Sequence, residues 1–119
     1  MEIHEKINIV ADGFNSCSEL LAAIGDETRQ YLILEMIKIG SCNGLRVCEI
    51  AKKTNLSRPA VSHHLQVMKN VGIVKMRKEG TKNYYYFDPD PKTFELLIST
   101  LQTAVEISRA LPERSEYDV

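Results

Sequence analysis

The apolar rhythm of the chain changes once, and that change limits the fold. Most apolar residues recur at intervals of three and four, but residues 73–78 and 83–87 are two runs rich in β-branched and aromatic side chains. Glu79-Gly80-Thr81-Lys82 between them is turn chemistry, with Gly80 available for positive φ. One hairpin set among helical segments predicts a mostly α chain with a small β-hairpin. Asp88-Pro89-Asp90-Pro91 then forms a hard boundary, Asp90 and Pro91 standing as N-cap and first residue of a final helix.

The helices follow from spacing. Ile3, Ile7, Val10, Phe14, Cys17, Leu21 and Ile24 alternate at four and three residues, an apolar seam within residues 1–25. A glycine costs a helix on the order of 1 kcal/mol, so Asp12-Gly13 reads as an interruption and the ordered helix is expected from near Phe14. Gly25 ends this element and Asp26 caps the next, whose run Tyr31-Leu32-Ile33-Leu34, Met36, Ile37 and Ile39 is apolar on nearly all sides. That helix is expected to be the buried centre of the fold. Gly40 stops it, and Ser41-Cys42-Asn43-Gly44 is a turn.

Residues 45–71 read as a helix-turn-helix. A short helix over residues 47–53 buries Val47, Ile50 and Ala51; Thr54-Asn55-Leu56 turns; Ser57 caps a second helix with Pro59 in its first turn. Val61, Leu65 and Met68 fall at i, i+4 and i+7 and face inward. Pro59, Ser62, His63 and Gln66 therefore face outward, with Arg58 and Lys69 at the flanks. Basic residues on the hairpin make residues 73–87 a wing. The last helix, residues 91–111, carries Phe94, Leu97, Ile98, Leu101, Ala104, Val105 and Leu111 on one stripe, and residues 112–119 are a polar tail. The 119 residues suffice for one domain with one modest core, and no repeat or low-complexity segment divides them.

Charge points to a partner. Residues 46–82 hold nine basic side chains against two acidic ones; the remaining residues hold six against fourteen, so a chain of net charge −1 concentrates its positive charge in one block. Such a block on a helix-turn-helix and wing is the footprint of a polyanion-binding face, here for double-stranded DNA. Arg58, Ser62, His63 and Gln66 are the candidate readers of base edges or phosphates, since Arg and Gln make bidentate contacts in the major groove. Ser57, Pro59, Lys69 and Thr81 border that face. Lys78 and Lys82 flank the Gly80 tip and are placed to neutralise phosphates.

Other classes find less support. There is no glycine-rich phosphate loop, zincin motif or nucleophile with its base, so the reading is not an enzyme. A protein-interaction module would need aromatic and aliphatic anchors that the outward helix face lacks. No apolar run is long enough for a membrane span and the start lacks signal-peptide order, which predicts a cytoplasmic protein with no membrane partner. His63 and His64 point about 100° apart on a helix and do not converge on one ion. Tyr84-Tyr85-Tyr86 reads first as strand packing. No cofactor is called for, but Cys17, Cys42 and Cys48 leave two readings open: small buried hydrophobes, or ligands for a soft metal(loid) ion or targets of an oxidant.

Asp26-Glu27-Thr28-Arg29, then Leu45-Arg46-Val47-Cys48-Glu49-Ile50-Ala51, then residues 56–65 and the Val71-Gly72-Ile73-Val74 entry to a wing occur in one order. In that order they resemble the ArsR family of winged helix-turn-helix transcriptional repressors. The resemblance implies a winged helix-turn-helix dimerising through the first and last helices, with Val10, Phe14, Cys17, Leu21, Phe94, Leu97, Leu101 and Val105 at the homodimer interface. It also implies a thiol pair at the start of the short helix. Here Arg46-Val47-Cys48 keeps only its second member, and the last helix has none of the histidines that zinc-responsive relatives use.

Overall fold

The computed structural model describes residues 2–40 and 43–111. Among the described residues six helices and one hairpin follow in the order α1 (Ile3–Ser16), α2 (Ser18–Ile24), α3 (Glu27–Ile39), α4 (Val47–Thr54), α5 (Arg58–Asn70), β1 (Val74–Glu79), β2 (Lys82–Phe87) and α6 (Pro91–Ala110). Cys42 and the 112–119 tail lie outside the described residues. Among the described residues no helix is long and apolar enough to cross a membrane.

The local signals act where the sequence puts them. Asp26 Oδ1 accepts the backbone N–H of Arg29 at 2.9 Å, and Ser57 Oγ accepts that of Ala60 at 3.2 Å, so both helices start on satisfied caps. Asp90 differs in detail: its carboxylate accepts from the Thr93 hydroxyl at 2.8 Å and leaves the backbone donors alone. The hairpin pairs antiparallel from Val74↔Phe87 to Glu79↔Lys82, so the tip is two residues, Gly80 at φ 62° and Thr81. A third segment joins it. Leu45 and Tyr85 exchange two backbone hydrogen bonds of 2.8 Å, which fixes the approach to α4 against the wing.

Around these elements the core is continuous. Leu20 and Ala23 of α2, Leu32 and Met36 of α3, Ile50 of α4, Val61, Leu65 and Met68 of α5, and Ile73, Val74 and Tyr85 of the hairpin form one buried cluster. Phe94 and Leu97, at the start of α6, pack on its edge.

Three expectations change. First, Gly13 does not interrupt the first helix; α1 runs through it and the break comes at Cys17. The cause is tertiary: Gly13 is buried where α1 crosses α6, and a Cβ built there would stand 2.1 Å from Thr100 Oγ1. Contact at Gly13 and Thr100, with Lys6 Nζ 3.4 Å from Glu106 Oε2, sets the two helices antiparallel. Second, α3 is not buried on all sides. Only Leu32 and Met36 are fully enclosed, while Tyr31, Leu34 and Ile37 are 42–49% exposed. A domain this small has neighbours for one stripe of a helix, and the rest of an apolar surface is left outside.

Third, Cys17 is not on an outer face. It is 2% exposed within the protomer and has no surface to offer a second copy. The other proposed interface residues divide by depth: Val10, Leu21, Phe94 and Leu97 are half-buried, and Phe14, Leu101 and Val105 are exposed. The α1/α6 pair gives the protomer an extended shape of 57 × 31 × 21 Å. Its radius of gyration is 18.4 Å, against roughly 13.5 Å for a compact chain of this length.

Close approach at Gly13 yields a stability test. Alanine usually stabilises a helix by about 1 kcal/mol over glycine, but here Gly13→Ala is expected to destabilise by about 1–3 kcal/mol through overpacking. Urea unfolding should show that loss, and a smaller one in a Thr100→Ala background. Stabilisation by Gly13→Ala in the otherwise unchanged protein would contradict the observed crossing.

Candidate nucleic-acid interface

The rotation of α5 decides what this surface contains. Val61, Leu65 and Met68 are completely enclosed, so the opposite stripe must face solvent. Arg58, Pro59, Ser62, His63, Gln66 and Lys69 are all exposed, as is Ser57 at the cap. Lys78, Thr81 and Lys82 are exposed around the wing tip. Arg58, Thr81 and Lys82 line one cleft, so the start of α5 and the tip of the wing adjoin. Gln66 Nε2 donates to Asn70 Oδ1 at 2.9 Å along the helix, a bond it must exchange to reach a base edge.

α5 is held from behind by Arg29, which sequence reading did not single out as functional. Arg29 Nε donates to the Ala23 carbonyl at 2.8 Å and Nη2 to the Ala22 carbonyl at 3.3 Å, both at the end of α2. Its Nη1 lies 3.2 Å from Nδ1 of His64 on α5. Because a guanidinium only donates, His64 must accept there and carry its proton on Nε2. Burial lowers the His64 pKa first of all, the Asp26 carboxylate opposes that shift, and the Arg29 charge adds to it. The Asp26 carboxyl is itself held below its usual range by the Arg29 backbone N–H. His64 is thus a structural link, while His63, its ring centroid 5.5 Å away, stays on the outer face.

The basic block is less uniform than its composition. Arg77 is spent internally: Nη1 donates to Glu79 Oε2 and Nη2 to the Asn43 carbonyl, each at 2.7 Å, and its Cζ sits 4.7 Å from the centroid of Tyr84. Lys75 Nζ donates to Asp88 Oδ2 at 2.7 Å, which raises the lysine pKa. Both fasten the wing to its surroundings. Arg46, Lys52, Lys53, Arg58, Lys69, Lys78 and Lys82 form no ion pair among the described residues.

Among the described residues two thiols are present, and they are not bonded to each other. Cys17 is buried at the α1/α2 junction and Cys48 is half-buried in the first turn of α4; both are free. Among the described residues no group of three His, Cys, Asp or Glu side chains is placed to hold a metal ion.

Comparison with known proteins places this geometry. Residues 26–76 match the family model described as bacterial regulatory protein, arsR family. An uncharacterised HTH-type transcriptional regulator of Methanocaldococcus jannaschii is 39% identical over 77 residues, covering 65% of this chain and 83% of that protein. A putative arsenical resistance operon repressor of Halobacterium salinarum is 32% identical over 94 residues, covering 79% and 75%. The crystal structure of the transcriptional regulator HlyU from Vibrio vulnificus superposes with a TM-score of 0.55 at 27% identity, over 80% of this chain and 96% of that one.

Burial of His64, helped by the Arg29 charge, makes stability depend on pH. An unfolded imidazole takes up its proton near 6.5 and the folded one only below that, so between the two values the unfolded state binds more protons. The contribution is intact above about pH 6.5 and is lost as pH falls toward the lowered folded value. Chemical denaturation across pH 7.5 to 5 should show a shallower decline for His64→Gln than for the unaltered protein. Parallel declines would remove His64 as the titrating group.

Proposed function

The chain belongs to the ArsR family of bacterial regulatory proteins, and from that premise we propose that it acts as a homodimeric, sequence-specific repressor released from its operator by an inducing signal. It is a DNA-binding transcriptional regulator of winged helix-turn-helix fold. The observation that carries the finer reading is the outward stripe of α5, entirely exposed and entirely polar or basic apart from Pro59, beside a wing tip whose Lys78 and Lys82 have no ionic partner among the described residues.

The division of labour follows from side-chain chemistry. Gln66 and His63 sit mid-helix, where donor and acceptor pairs meet base edges. Arg58 at the first helical position and Ser57 at the cap lie where phosphates approach a helix N-terminus; the Ser57 oxygen accepts from Ala60, leaving its hydroxyl proton for a phosphate oxygen. Lys78 and Lys82 supply charge without sequence information. Phe14, Leu101 and Val105, exposed on the α1/α6 pair, are large apolar side chains that a second copy would cover, giving two recognition helices related by a two-fold axis.

A second reading concerns the signal. Several similar proteins carry names that refer to arsenical or cadmium resistance, and the half-buried free thiol of Cys48 stands at the head of α4, next to the DNA-binding face. Cys48, alone or with Cys42, would then respond to a soft metal(loid) or an oxidant; the burial of Cys17 removes it from that set.

Binding to a selected operator and to random duplex separates these roles. Gln66→Ala or His63→Ala should cost on the order of 1–3 kcal/mol on the operator and much less on random DNA. Lys78→Ala with Lys82→Ala should weaken both DNAs alike and reduce the salt slope by about two. Equal losses on both DNAs from the α5 variants would move those residues to backbone contact, and an unchanged slope would take the wing off the DNA.

A further inference from the structure

A cleft of about 240 Å³ opens where the head of α4, the head of α5 and the tip of the wing meet, and Arg46, Cys48, Arg58, Thr81, Lys82 and Asn83 are among its lining residues. Three of these are cations, one from each element, and no carboxylate is among the lining residues. Arg46, Arg58 and Lys82 form no ion pair among the described residues. The nearby acids are turned to other tasks: Glu49 Oε1 accepts the Arg46 backbone N–H at 2.9 Å, and Glu79, the cross-strand neighbour of Lys82, accepts from Arg77 at 2.7 Å.

Converging like charges without a counter-ion repel one another and focus a positive potential in a concave site. An anion relieves that repulsion. Thr81 and Asn83 add a hydroxyl and an amide donor. The volume falls below the roughly 300–1,000 Å³ of pockets that enclose a drug-sized ligand. Small size, several side-chain donors and excess positive charge together favour one tetrahedral oxyanion.

We infer that this cleft is an oxyanion site that takes a single backbone phosphate of bound duplex DNA, with Arg46 and Asn83 as contacts beyond the recognition helix and the wing tip. The inference rests on the DNA-binding reading above. One phosphate here touches α4, α5 and the wing at once, so it fixes the wing relative to the helix that reads the bases. Cys48 stands in the wall of the cleft, so the phosphate shields its thiol, and any group added to that thiol competes with the phosphate for the same space.

Alkylation of Cys48 in the full chain tests this, read on the tryptic peptide of residues 47–52, which contains no other cysteine. Iodoacetate is an anion and iodoacetamide its neutral analogue; the site predicts that the ratio of their rates at Cys48 falls several-fold with added salt, with added inorganic phosphate, and in Arg58→Gln with Lys82→Gln. Duplex DNA at saturation, monitored by anisotropy in the same samples, should slow both reagents several-fold. A rate ratio indifferent to salt, phosphate and the two charge removals overturns the oxyanion site. DNA that binds yet leaves both rates unchanged overturns the backbone phosphate as its occupant. Absence of DNA binding overturns the DNA-binding reading itself, while the rate ratio still decides whether the cleft holds a free oxyanion.

Discussion

The burial of Val61, Leu65 and Met68 is the constraint on which the rest depends. These three side chains are fully enclosed, and each would contribute about 1.5–3 kcal/mol on leaving water. Together they outweigh any single contact on the outer face and fix α5 about its own axis. Once that rotation is set, the exposed stripe of Arg58, Ser62, His63 and Gln66 follows from helix geometry alone. Arg29 adds a finer adjustment by joining α5 to the end of α2 through His64. The outer stripe is therefore a by-product of core packing, and, if that stripe reads DNA as proposed, substitutions in the core that turn α5 would alter recognition without touching DNA.

Much of this was visible in the sequence, because the signals for α5 and the wing are local. A Ser57 cap, Pro59 in the first turn, an i, i+4, i+7 apolar stripe and a Gly80 turn each act within a few residues, and their agreement leaves little choice of structure. What escaped was tertiary. Gly13 reads as a helix breaker until α6 crosses it, and Thr100, buried and polar in an otherwise apolar stripe, was the one available hint of a close approach. The α3 run of apolar residues gives no measure of how much partner surface exists, so its exposed Tyr31, Leu34 and Ile37 could not be foreseen.

Charge behaves in the same way. Counting residues 46–82 finds a basic block but cannot separate Lys75 and Arg77, which fasten the hairpin to Asp88, Glu79 and Asn43, from Arg46, Arg58 and Lys82, which gather around a cleft with no counter-ion. The distinction depends on cross-strand register and on the Leu45–Tyr85 bridge that brings the head of α4 to the wing. Under the proposed function, the internal pairs set the shape of the interface and the cations left over supply its affinity, so the wing would be positioned by the same residue class that meets the phosphates.

Whether α5 reads DNA in a two-fold assembly built on the α1/α6 pair is tested most directly by a hydroxyl-radical footprint on a duplex selected from random sequence. Two symmetric protected patches should appear over an inverted repeat, their centres one helical turn apart, about 34–36 Å, or a multiple of it. Protection of a single unrepeated half-site, or of the duplex without any defined pattern, would contradict it.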